Sequence, residues 1–143
     1  MRAAAIVGLS LALSGCLAVD VAPTRVAIDG PLCNAGSHPA QIAQLFFGRN
    51  IGTELGVSEA AWQAFVDEEI TPRFPEGLTV LDAAGQWRGQ SGMIGREPSK
   101  VVMIVLDGEP DERARLDAVR QAYMARFSQE AVLLVEQPAC VGF

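Results

Sequence analysis

The segment from Ile70 to Lys100, ITPRFPEGLTVLDAAGQWRGQSGMIGREPSK, sets two β-prone runs on either side of a glycine-bounded tip, Gly89-Gln90-Ser91-Gly92. Runs of that kind separated by four turn-forming residues specify a long β-hairpin. The hairpin constrains the rest of the chain, because helical periodicity flanks it on both sides. Ahead of it, Trp62, Phe65, Val66 and Ile70 form one apolar stripe, with Ser58 placed as N-cap and Thr71-Pro72 as the stop. Behind it, Gly108 and Pro110 mark a turn. A second helix follows to about Phe127, with Leu116, Val119, Tyr123 and Phe127 inward and Asp111–Arg115 and Arg113–Asp117 as surface i,i+4 pairs.

Gln41–Phe47, Leu78–Arg88, Met93–Leu106 and Ala131–Glu136 read as four strands, with Arg49–Val57 a loop. Pro98 is expected to interrupt the third strand, with a bulge or an unpaired edge there, and Pro138 to stop the fourth. The resulting order, β-α-β-β-α-β, predicts an α+β ferredoxin-like sandwich over residues 41–143, its antiparallel sheet ordered 4-1-3-2 and its two helices on one face. Strand four then lies beside strand one, which carries Cys140 to Cys33. A disulfide closing a loop of that size adds about 4–5 kcal/mol on the chain-entropy model.

The N-terminus carries an address. Met1-Arg2 is a positive start, Ala3–Leu13 an uncharged stretch too short for a stable membrane span, and Leu13-Ser14-Gly15-Cys16 resembles a lipobox. Residues 1–15 are expected to be a lipoprotein signal peptide, Cys16 the lipidated residue, and residues 16–40 a tether holding the lone histidine, His38. Leu17 after the cysteine, where an aspartate would retain the chain at the inner membrane, resembles an outer-membrane sorting signal facing the periplasm. With Cys16 lipidated, Cys33 and Cys140 remain as an even pair, as suits an exported protein.

Removing residues 1–15 leaves 10 basic and 17 acidic side chains, a net charge of −7. No basic patch is present to neutralise phosphates, which argues against nucleic acid. No G-x-S-x-G elbow, paired histidines, C-x-x-C or phosphate loop appears, so no catalytic residue, metal ligand or cofactor is assigned. Asp67, Glu68 and Glu69 are helix neighbours that point in different directions and read as a solvated face. Arg73 and Arg126 read as residues that fix loop geometry.

The hairpin offers the candidate surface. A four-residue tip sets Trp87 opposite Ile94, Gly85 opposite Arg96 and Leu81 opposite Lys100, giving one face an aromatic and two cations. Trp87, Arg88, Arg96 and Lys100 are the candidate binding residues, suited to an anionic or sugar-like ligand. The competing reading makes Trp87 a core or dimer contact and the charges surface ion pairs. Val101–Leu106 and Val132–Val135 are apolar on both faces, so something must cover the sheet's second face: a second copy packed sheet to sheet, or the tether folded back.

The runs Leu45-Phe46-Phe47-Gly48, Thr71-Pro72-Arg73-Phe74-Pro75, Gly85-Gln86-Trp87-Arg88, Arg96-Glu97-Pro98-Ser99-Lys100 and Pro138-Ala139-Cys140-Val141 resemble an uncharacterised bacterial family catalogued as domain of unknown function 3574. The resemblance implies a small exported protein and carries over no catalytic residue. Together these features describe a lipid-anchored envelope protein that binds a small ligand or a protein partner. Two other readings fit the same residues. One is an enzyme with a pocket between the sheets of a dimeric α/β barrel, using Tyr123, Arg96 or Glu97; the other is a purely structural lipoprotein.

Overall fold

A computed structural model describes residues 33–88 and 92–143. The signal peptide, Cys16 and the tether up to residue 32 lie outside the described residues, as do residues 89–91 of the hairpin tip. The first strand, β1 (His38–Gly48), begins earlier than expected, so His38 is a strand residue paired with Val141 rather than part of a tether. Four long strands, β1, β4 (Thr79–Arg88), β5 (Ile94–Leu106) and β6 (Leu133–Val141), form one antiparallel sheet.

Residues 49–57, expected as a loop, hold a small ribbon, β2 (Asn50–Ile51) paired with β3 (Glu54–Leu55). With these two strands counted, the sheet order is β4-β5-β1-β6, which among the long strands is second, third, first, fourth, the expected 4-1-3-2 read from the opposite edge. Two helical segments complete the α+β fold, in the β-α-β-β-α-β succession of ferredoxin-like domains.

The first helix, α1 (Glu59–Phe65), starts because the Ser58 side chain accepts the Ala61 N–H, satisfying one of the orphan donors of the first turn. It passes into a π-helical turn (Val66–Ile70), closed by Thr71 N–H donating to the Val66 carbonyl. Ser58→Ala is expected to lower stability by about 1 kcal/mol in urea unfolding. The second helix, α2 (Glu112–Phe127), ends at Ser128, which takes the left-handed conformation at φ 52°.

Both stripes read from the sequence face inward. Trp62, Phe65, Val66, Ile70, Leu116, Val119, Tyr123 and Phe127 are buried against Ala43, Leu45 and Phe47 of β1 and Val102, Ile104 and Leu106 of β5. The rings of Phe47, Trp62, Phe65 and Tyr123 meet with centroids 4.7–6.1 Å apart. Cys33 and Cys140 form the disulfide, joining the segment before β1 to β6 with Cα atoms 5.5 Å apart.

Two prolines sit inside strands, Pro98 at an unpaired edge as expected and Pro138 against expectation, and backbone direction explains both. Arg49 N–H donates to the Pro98 carbonyl, so even-numbered residues of β5 turn their backbone groups toward β1. Pro98 lies just past the last residue of β1, where a strand N–H has lost its partner. By the same alternation, even-numbered residues of β1 face β6, and their partners in β6 are odd-numbered. Pro138 therefore aims its missing N–H at the outer edge, a position that needs no donor.

Candidate binding surface: the hairpin arm and the open sheet face

The β4–β5 hairpin outruns the sheet. β1 pairs with β5 only as far as Gly48–Ser99, whereas β4 and β5 stay paired to Arg88–Ile94. The part beyond Ser99 is an arm with β5 on β4 and no third strand. Its register differs from expectation by one residue, because Arg88 pairs with Ile94 and residues 89–93 make a connection one residue longer than four. Trp87 consequently lies opposite Gly95, Gly85 opposite Glu97 and Asp82 opposite Lys100. A one-residue slip exchanges the faces. Arg88, Arg96 and Lys100 share the helix side of the ribbon, and Trp87 is on the other side, so the expected grouping of an aromatic with two cations is not formed.

Each candidate residue has its own surroundings. Lys100 is a bolt rather than an open ligand. Only 5% exposed, its ammonium bonds Glu59 Oε1 of α1 at 2.8 Å and Asp82 Oδ1 of β4 at 2.6 Å. Arg96 is exposed; its Nε donates to Gln86 Oε1 at 3.2 Å, and its carbonyl accepts from Asn50 Nδ2. Arg88 is exposed and makes no ion pair among the described residues, and Trp87 is half exposed at 51%.

A polar joint fixes the arm's root. Arg49, buried, donates from Nε to the Val57 carbonyl and pairs with Glu59 Oε2 at 3.1 Å. Glu97 accepts the Asn50 N–H, and a Cβ at Gly48 would stand 2.5 Å from that carboxylate, so a side chain there would push the carboxylate aside. Tyr123 donates to the Gly48 carbonyl at 2.8 Å; burial pushes its hydroxyl well above the ordinary value, which keeps it a donor. Gln129 adds a bond to the Asn50 carbonyl. These residues were not legible as a group, since they come from β1, β2, β5, both helices and the turns beside them.

Charge holds the joint over a defined pH window. The hydrogen bond and charge of Lys100 hold Asp82 below its ordinary 3.8, and bonds from Asp82 and Glu59 raise Lys100 above 10.5. The Asp82 contribution is present above the unfolded carboxylate value and is lost as pH falls through the depressed one. The Lys100 contribution is present below 10.5 and is lost as pH rises through the raised value. The destabilisation caused by Lys100→Ala is therefore expected to shrink when urea unfolding is moved from neutral to strongly acidic pH, and to stay constant if the pair is inert.

Elsewhere, Arg73 donates to the Glu69 carbonyl and carboxylate, and Arg126 pairs with Glu68 at 2.6 Å, so both arginines hold the end of the first helical segment, where loop geometry was expected. Asp67 accepts from Gln63, which leaves the three consecutive acids each with a separate partner. At the far end of the sheet, a groove of about 530 Å³ is lined by Pro39, Leu106, Asp107, Glu112, Arg113, Glu136 and Pro138 among others. Arg113 and Glu136 are ion-paired across it.

The second face of the sheet is the larger feature. Ile42, Gln44 and Phe46, Val101, Met103 and Val105, Thr79, Leu81 and Ala83, and Leu133 and Val135 share this side by register. None of these is charged, in a chain of which 20% of residues are; Glu97, at the root of the arm, is a carboxylate on the same side and accepts the Asn50 N–H. Leu81, Val105, Leu133 and Val135 are exposed there, and Trp87 continues the same side onto the arm. Depletion of charge at a contiguous apolar patch is the compositional mark of a protein interface.

With that geometry in place, the family follows. A model for a protein of unknown function, DUF3574, matches residues 42–143. The chain belongs to the DUF3574 family. No curated protein matches this DUF3574 member. Among solved structures it is similar to a phage SAM lyase in complex with S-methyl-5'-thioadenosine, at 18% identity and a TM-score of 0.58, covering 73% of this chain and 90% of the lyase. The same lyase in its apo state gives a TM-score of 0.54. CutA from Synechococcus elongatus follows with 11% identity, a TM-score of 0.44, and coverage of 71% of this chain and 80% of CutA. The lyase likeness is one of fold.

Proposed function

We propose that this DUF3574 protein is an exported domain of the bacterial envelope, lipid-anchored through Cys16 at the periplasmic side of the outer membrane, that works by binding a protein partner. The observation that carries the binding role is the uncharged outer face of the sheet, continued onto the arm by Trp87. A second copy packed face to face is the simplest partner. A chain of net charge −7 meets its own copy with least repulsion over the part of its surface that lacks carboxylates.

The disulfide supports export, because such bonds persist in oxidising compartments. No helix among the described residues is long and apolar enough to cross a membrane, and a lipid on Cys16 supplies the anchor in this reading. The polar residues nearest to a catalytic group are all occupied at the joint: Lys100 and Arg49 by carboxylates, Tyr123 by a backbone carbonyl. This favours binding over an enzyme using Tyr123, Arg96 or Glu97, and the lyase's chemistry is not carried over.

Metabolic labelling with a palmitate analogue tests the anchor. The full chain is expected to incorporate label and sediment with outer-membrane vesicles, and Cys16→Ala to lose both. Unlabelled wild-type protein in the soluble fraction would contradict the anchored reading.

A further inference from the structure

The sheet has two edges, and they are built differently. On β6 the outward-turned positions include Pro138, which offers no donor, and Glu136, tied to Arg113 of α2. That edge is blunted. On β4 the alternation set by the Arg49–Pro98 bond turns the odd-numbered residues toward β5 and leaves the N–H and C=O groups of Val80, Asp82, Ala84, Gln86 and Arg88 facing outward. None of these residues has another backbone partner among the described contacts, and β4 contains neither proline nor lysine. A ten-residue strand with an open ladder and no such guard is a template for strand addition.

We propose that the occupant is β4 of a second copy, added antiparallel about a two-fold axis at Gly85. Charge selects that register. With Gly85 facing Gly85, Asp82 of each chain faces Arg88 of the other, and both carry their outward backbone groups at bonded positions. Asp82 gives Lys100 one oxygen yet remains 85% exposed, and Arg88 has no ion-pair partner among the described residues. Centring the axis on Asp82 or on Arg88 would instead oppose like charges. Ala83, Ala84 and Gly85 at the centre put only small side chains at the crossing. The two sheets become one of eight strands, and the two uncharged faces become one platform.

Edge pairing uses a different surface from face packing, so both operate together in a four-chain assembly, and neither depends on the lipid anchor. The test is disulfide trapping in cells carrying the full chain. Gly85→Cys places two cysteines at a non-hydrogen-bonded pair, where Cα atoms stand ~4.5 Å apart, within bonding range. A Cβ there meets only the rotatable Ser99 hydroxyl at 2.8 Å. Ala83→Cys, which faces Trp87 in this register, leaves its twin roughly 13 Å away along the strands.

On non-reducing gels after copper–phenanthroline treatment, Gly85→Cys is expected to give a covalent dimer in at least about tenfold greater yield than Ala83→Cys. Ala84→Pro, which removes only an outward N–H, should abolish the link. Arg88→Glu should reduce it several-fold with unchanged thermal melting, which guards against a folding defect in the proline variant. Equal yields from positions 83 and 85, or a link that survives both Ala84→Pro and Arg88→Glu, would overturn the proposal. The added oxidant makes the result independent of compartment, so failure of the export reading leaves this outcome readable.

Discussion

Reducing the Cys33–Cys140 bond is expected to lower the stability of the domain by about 4–5 kcal/mol, measured as a leftward shift of the urea midpoint in the presence of reductant. The two cysteines are 107 residues apart, so the bond closes a loop that contains the whole sheet and both helices. Opening it returns that loop-closure entropy to the unfolded chain. A domain of this size has a total stability of roughly 5–15 kcal/mol, so the reduced form would stand close to unfolding. Cys33→Ser should reproduce the effect without reductant. A midpoint that does not move on reduction would show that the β1–β6 pairing alone holds the ends.

Lys100→Ala is expected to cost about 2 kcal/mol and to free the arm from the body. The ammonium bridges α1, through Glu59, and β4, through Asp82. The loss is smaller than the ~3–5 kcal/mol of a fully buried pair, because the carboxylates left behind are largely exposed and return to water. The distinguishing readout is local. Amide exchange should accelerate in residues 82–88 and 94–100, with helix α2 little changed. Uniform acceleration across the sheet would mean that Lys100 supports the core and not the joint.

What the sequence disclosed depended on periodicity. The inward stripes of both helices were readable because helical spacing survives any detail of tertiary contact, and all eight named positions are buried. The disulfide was readable because it requires only that the last strand lie beside the first, as β6 and β1 do. The hairpin register was not readable. It turns on whether residues 89–93 or only Gly89–Gly92 make the connection, a choice of one residue that reverses which side Trp87 shares with the cations. Of the two strand prolines, Pro98 and Pro138, the second misled for another reason. A proline breaks a strand only where its N–H would have met a partner, and at both positions the partner strand is missing or lies on the other side. The polar joint gives no local signal at all, since Arg49, Glu59, Asp82, Lys100 and Tyr123 meet only in three dimensions.

Site-specific photocrosslinking in living cells tests the central claim most directly, that the uncharged face of the sheet is an interaction surface. Benzoylphenylalanine placed at Val105 or Leu133, both exposed on that face, is expected to give a discrete adduct on irradiation. The same probe at Gln121, exposed on α2, should give none. An adduct of twice the chain mass would identify the face-to-face second copy, and any other discrete mass a different protein partner. No adduct from Val105 and Leu133, or the same yield as from Gln121, would contradict the account.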